Sequence, residues 1–312
     1  MSFVPERTAI IGATGPVGIW LARELVGRGR GVRVVSRSRE RLEGIFGRLG
    51  VEIEAADALD GEAIRRAVEA CGLVVDCVGL PAERMEDHAT VARHVAEAAR
   101  AAGARAFLVS SYWSFLPACS EVIDEGHPRE GGNRYARARR AAEDVLLAAG
   151  GAVAHLPDFF GPEVHTGTVQ RALEQAAAGE TVQWIGSAAH EREAGYVPDL
   201  ARVLADLAER EEAYGEDWGL PGTGTISARH LGELAAGHLG RRVKVQAAPV
   251  WLLRLLGRFN AELRSFLPMA PHYASPVRYD TSKLQALLGP RTGTPFEEAV
   301  PATLDWLRAP AQ

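Results

Sequence analysis

Apolar residues in the first half of the chain come in short runs, each followed by a turn and then by apolar residues at helical spacing. Ala9-Ile10-Ile11 is the first run; Gly12, Gly15 and Gly18 follow it, and Ile19, Leu21, Leu25 and Val26 then recur along one side of a helix. Residues 32–35, 51–55, 73–78, 106–109 and 153–156 repeat the strand pattern, while 63–71, 88–102 and 135–149 read as helices between them. Strands alternating with helices predict an α/β chain built on a doubly wound parallel sheet, with its ligand at the carboxyl ends of the strands. Beyond residue 160 the pattern loosens: helices over 166–178, 250–267 and 296–307 and a short strand over 182–185 predict a smaller, mostly helical lobe.

The first strand, turn and helix carry the most chemistry. Gly12 suits a tight turn, Gly15 lets backbone N–H groups approach a pyrophosphate, and Gly18 lets the helix pack on the strand, with the phosphates at the positive helix end. Together with Thr14, Pro16 and Val17 these glycines form the candidate phosphate cradle of a Rossmann domain. Residues 1–160 are therefore predicted to bind a dinucleotide, taking in part of 190–222, with 161–312 an interleaved substrate lobe. The second strand ends in Ser36-Arg37, where a carboxylate would hold a free ribose 2′-hydroxyl. A small hydroxyl and a guanidinium suit a 2′-phosphate, so NADP is expected over NAD.

Net charge of −5 and 47% hydrophobic residues give no nucleic-acid-binding surface, so a small molecule is the expected partner. The three cysteines, Cys71, Cys77 and Cys119, lack metal-site spacing, so neither a metal nor a structural disulfide is expected. The N-terminus reads directly into the first strand and no apolar run is long enough to span a bilayer, which predicts a cytoplasmic protein with no membrane partner.

The fifth strand runs into Ser110-Ser111-Tyr112-Trp113, and 24 residues after Ser111 stands Tyr135, with Arg139 four residues on and Glu143 eight on. With the Gly12-x-x-Gly15-x-x-Gly18 spacing, this resembles the extended short-chain dehydrogenases, the epimerase/dehydratase family. The resemblance implies that Ser111 binds the substrate oxygen and that Tyr135 exchanges a proton as hydride moves to or from the nicotinamide. It further implies that Asp57 contacts the adenine, that Val78 and Gly79 lie along the cofactor, and that an acidic position falls at Glu125. A tyrosine titrates near 10, so the family sets a lysine one helical turn away to favour phenolate; here that residue is Arg139, which keeps the charge and is a poor proton relay. Only two residues of this chain are lysines, and one of them completes a second YxxxK, Tyr279 to Lys283, which lacks an upstream strand-end serine and is set aside. His88, near a position that is asparagine in many relatives, reads as a satisfied surface histidine.

In the second half, Leu156-Pro157-Asp158-Phe159 resembles a family segment with asparagine in place of Asp158. A carboxylate there would repel a diphosphate, which points away from nucleotide sugars. Tyr112, Trp113, Asp158 and Phe159 are the candidate substrate contacts. The apolar helix expected over 250–267 could line a pocket, act as a lid or simply pack. The expectation is an NADP-dependent oxidoreductase; a retained-cofactor epimerase or dehydratase, and a non-catalytic NADP-binding regulator, are the alternatives. The resemblance also implies a homodimer through helices 88–102 and 135–149.

Overall fold

The computed structural model describes residues 5–260, 264, 267, 270 and 277–309. Seven strands, β1 (Arg7–Ile11), β2 (Gly31–Ser36), β3 (Glu52–Ala55), β4 (Leu73–Asp76), β5 (Arg105–Ser111), β7 (Ala152–Leu156) and β11 (Asp217–Gly219), form one parallel sheet. Their order across it is β11-β7-β5-β4-β1-β2-β3. The strand order reverses between β1 and β4, so a crevice opens outside their carboxyl ends, where open α/β sheets bind ligands. The short strand β6 (Val122–Ile123) pairs with β14 (Arg278–Tyr279) outside this sheet.

Alternation along each strand decides which helices cover which face. On β1, Ile10 faces a core with α1 (Pro16–Gly27), α2 (Arg39–Phe46) and α7 (Val197–Ala208), whereas Ala9 and Ile11 face α3 (Gly61–Ala67), α4 (His88–Ala102) and α5 (Arg134–Ala148). Helix α7 packs along α1 and β11 closes the sheet edge, so residues from beyond 160 complete the first layer. The remaining strands, β8 (Phe159–Phe160), β9 (Val182–Ile185), β10 (Glu191–Tyr196), β12 (Gly224–Ser227) and β13 (Val245–Ala248), form two small sheets. A third core, centred on Phe160, Trp184 and Leu173, joins them to α6 (Thr168–Ala178), α8 (Ala228–Leu239) and the closing helix Phe296–Arg308.

Helix α4 spans the predicted residues, and β5 extends two residues past the strand expected over 106–109, through Ser110 and Ser111. The helix expected over 250–267 is shorter: α9 covers Val250–Leu256 and the chain turns at Gly257, while residues 261–263, 265 and 266 lie outside those described. Within α9 only Leu253 is buried; Trp251 is 66% exposed, and beyond the helix Phe259 is 87% exposed. Within α9 the apolar face is therefore mostly exposed, with Leu253 its buried contact. Among the described residues, no helix is long and apolar enough to cross a membrane, and no cluster of His, Cys, Asp and Glu could hold a metal ion.

Candidate functional site

The glycine turn is fixed by contact distances. Gly12 has φ +79°, and a Cβ there would lie 2.8 Å from the Val78 Cα; at Gly18 a Cβ would lie 2.8 Å from the Ala13 Cα. Gly15 differs, since a Cβ would meet nothing nearer than the Gly12 carbonyl oxygen at 3.5 Å. The protein leaves room at Gly15 on the side that opens to the crevice, the cradle a close-lying phosphate needs. Pro16 begins α1 directly after it, with its missing N–H at a position where no helical bond is lost.

Two cavities of about 350 and 360 Å³ meet along this turn. Both are lined by Gly15, Pro16, Val78 and Gly79, so they form one trough. Gly12, Thr14, Ser36, Arg37 and Asp57 line the first cavity. There the Thr14 hydroxyl donates to Ser36 Oγ at 3.4 Å, and Asp57 Oδ1 accepts from the Leu59 amide at 3.1 Å. Arg41 and Arg84, not singled out from the sequence, also border this end; Arg41 stands in the first turn of α2, four residues after Arg37. Val17, Ser111, Trp113, Tyr135, Arg139 and Asp158 line the second cavity, with Phe159. Tyr112 stacks on Trp113 with ring centroids 5.3 Å apart and is not among its lining residues. Gly18 faces Ala13 and lines neither cavity.

Tyr135 and Arg139 are one turn apart on α5, which is capped by the Asn133 side chain accepting from the Ala136 amide at 2.9 Å. Burial pushes the Tyr135 phenol above its ordinary value; the Arg139 charge pulls the other way without reversing it, and Asp158 and Glu143 add to the rise. The adjacent cation therefore does not make phenolate the resting form. The Arg139 guanidinium is itself buried and engaged, Nε donating to Ser110 Oγ at 3.3 Å, Nη2 to the Val109 carbonyl at 2.7 Å and Nη1 to His88 Nδ1 at 3.2 Å.

His88 is not a surface residue. It is 3% exposed, and burial followed by the Arg139 charge lowers it to about 3, so it stays neutral and accepts from the guanidinium. Asp76, at the end of β4, is raised to about 6 by burial, against a hydrogen bond from the Val78 amide and the charge of Arg139. A lone acid in the apolar run of β4 was the visible signal for it.

Behind Ser111 lies a second buried cluster. The Ser110 hydroxyl donates to Glu143 Oε1, and Arg129 Nη1 donates to Glu143 Oε2 at 3.2 Å. Arg129 also pairs with Asp217, which accepts from His155 Nε2 at 3.1 Å. Glu125 is drawn off elsewhere, accepting from the Gly219 amide at 2.7 Å. The set-aside pair separates: Tyr279 is buried against Phe115 and His155, while Lys283 binds Glu216.

Asp158 lines the same cavity as Gly15 and Tyr135. Trp113 Nε1 donates to its Oδ1 at 3.2 Å, whereas Oδ2 is buried without a hydrogen-bond partner. Burial raises this carboxyl, with Arg192, Trp113 and Tyr112 pulling it back in part. The Trp113 ring also meets Tyr135 edge-on, with centroids 6.1 Å apart, so one indole touches both polar groups.

Residues 8–220 match the sequence profile of the NAD-dependent epimerase/dehydratase family. A ceramide reductase of Caulobacter vibrioides (strain NA1000 / CB15N) is 34% identical over 161 residues, which is 49% of this chain and 46% of that protein, so the match spans under half of the relative. The fold resembles UDP-glucuronic acid 4-epimerase from Bacillus cereus, solved with UDP-glucuronic acid and NAD: TM-score 0.81, 14% identity, covering 97% of this chain and 99% of that one. It also resembles dTDP-glucose 4,6-dehydratase from Bacillus anthracis, solved with NAD: TM-score 0.78, 12% identity, covering 96% of each chain.

Proposed function

The chain belongs to the NAD-dependent epimerase/dehydratase family of enzymes, and from that premise we propose that it is an NADP-linked oxidoreductase acting on a carbonyl of a small, uncharged or weakly charged molecule. The observation that carries this reading is the meeting of Ser111, Tyr135 and Arg139 on one cavity continuous with the glycine turn. A nicotinamide held along this trough would supply or take the hydride. The open side of Gly15, with Gly12 and Thr14, fits the pyrophosphate. Arg37 and Arg41, with a hydroxyl and no carboxylate at residue 36, fit a 2′-phosphate.

Tyr135 is held as the phenol, which makes it a proton donor to the oxygen of a carbonyl being reduced. The Ser111 hydroxyl bonds the same oxygen. As hydride from a bound nicotinamide would arrive at the carbon, the phenolic proton would pass to the oxygen, and a proton from solvent would restore the phenol. Arg139 lowers the cost of the transient phenolate by its charge, with three of its five N–H donors engaged by Ser110, Val109 and His88. The ceramide reductase similarity supports a reductive reaction on an uncharged substrate. The structural neighbours support a second reading, epimerisation or dehydration with the dinucleotide retained. The Asp158 carboxylate weighs against a diphosphate substrate under either. A homodimer through the outer faces of α4 and α5 belongs to the same proposal, and light scattering checks it.

The test is NADPH consumption. Wild-type protein is expected to oxidise added NADPH with a carbonyl substrate, and Tyr135→Phe to lose about 10²–10⁴-fold in kcat while binding NADPH as before. Turnover without net NADPH consumption would establish the second reading; a Tyr135→Phe variant as active as wild type would refute both.

A further inference from the structure

A buried carboxylate oxygen without a partner is costly, because it gives up water and gains no hydrogen bond in return. Asp158 Oδ2 is such an atom, and its position decides what it is for. The other carboxyl oxygen accepts from Trp113 Nε1 at 3.2 Å, and the Tyr112 side chain also hydrogen-bonds this carboxyl, which together hold the group in place on the cavity wall. The same indole lies against the Tyr135 ring, so the unsatisfied acceptor and the phenol stand on either side of one side chain. The local cation, Arg192, donates to the Ile185 carbonyl at 3.0 Å and lies over the Trp184 ring, 4.5 Å from its centroid. Its charge reaches Asp158, and no hydrogen bond from it fills Oδ2.

We infer that Asp158 reads the substrate: Oδ2 accepts a hydrogen bond from an O–H or N–H group that the substrate carries a few bonds from its reacting carbonyl. The substrate class is therefore a hydroxy- or amino-substituted carbonyl compound, and anionic compounds are excluded by the carboxylate. This deepens the reductase reading above and rests on it for which carbon reacts, but the binding preference it asserts does not depend on turnover. Ser111 and Tyr135 take the carbonyl oxygen; Asp158 takes the neighbouring donor and fixes which way round the molecule lies. An acceptor already buried and oriented selects strongly, since a substrate without the donor leaves it unpaired.

Two matched probes test this: hydroxymethyl n-octyl ketone, which carries the donor, and methoxymethyl n-octyl ketone, which does not. For the wild-type protein, kcat/KM with NADPH, and affinity for the NADP+-loaded protein by calorimetry, are expected to favour the hydroxymethyl probe by about tenfold or more. Asp158→Asn keeps an oxygen for Trp113 and turns Oδ2 into a donor, so the preference should vanish or invert. Asp158→Ser, which lacks the second oxygen, should abolish it, and a melting curve of each variant confirms that it is folded. Equal preference in wild type, or a preference unchanged in the folded variants, overturns the inference. If neither ketone is reduced yet the calorimetric preference is present and lost in Asp158→Asn, the reductase reading fails and the role of Asp158 stands.

Discussion

Replacing Glu143 by glutamine keeps the side chain's shape and removes one negative charge from the cluster behind Ser111. The Glu143 side chain is 0% exposed, with Arg129 Nη1 3.2 Å from Oε2 and His155 Nδ1 3.6 Å from Oε1. Removing one partner of a buried ion pair costs about 3–5 kcal/mol, because the other charge stays buried. Arg129 is 20% exposed and keeps Asp217 as a second carboxylate, so the loss falls lower, at about 2–3 kcal/mol. An unfolding entropy of about 2.1 cal/mol/K per residue over 312 residues amounts to about 0.65 kcal/mol per kelvin. Glu143→Gln should therefore lower the melting midpoint by about 3–5 °C at neutral pH, read by circular dichroism. Cofactor affinity should not change, as Glu143 lines neither cavity. A midpoint within about 1 °C of wild type, or above it, would refute the assignment of Glu143 as a stabilising counter-ion.

Arg37→Glu is expected to raise KM for NADPH about 10- to 100-fold by removing a charge-assisted phosphate contact, while leaving KM for NADH nearly unchanged; steady-state kinetics with both nucleotides checks this. Gly18→Ala should cost about 1–3 kcal/mol, since its Cβ meets the Ala13 backbone, which cannot swing aside, and a lower urea midpoint is the readout. For Asp217, burial pulls upward, but His155 and then Arg129 outweigh it and bring the carboxyl from 3.8 to about 2. A lowered carboxylate stabilises the fold above its unfolded value and ceases to as pH falls through its folded one. Roughly 2 kcal/mol should thus be lost between about pH 4 and pH 2. Asp217→Asn should flatten that part of the stability-against-pH curve.

The order of strands and helices, the glycine turn and the positions of Ser111, Tyr135 and Arg139 were legible in the sequence. Each rests on local rules: period-2 and period-3.6 patterning, backbone freedom at Gly12, and the four-residue spacing that sets two side chains on one helix face. The length of the apolar helix at residue 250 was misjudged because apolar periodicity does not show where tertiary contacts end. His88 was misread for a related reason, since one polar residue at a helix start looks alike whether it meets solvent or a guanidinium.

What only the folded chain decided is the state of the charges. Sequence spacing put a cation beside Tyr135, but burial of the phenol outweighs it, and the guanidinium is drawn to the Val109 carbonyl, Ser110 and His88. Those partners come from β5 and α4, 29 to 51 residues away along the chain. The unpartnered Asp158 oxygen is likewise a property of what surrounds it, contributed by segments up to 45 residues distant. Patterning is set by neighbours along the chain and can be read there; desolvation and hydrogen-bond satisfaction depend on neighbours in space, which exist only once the layers have packed.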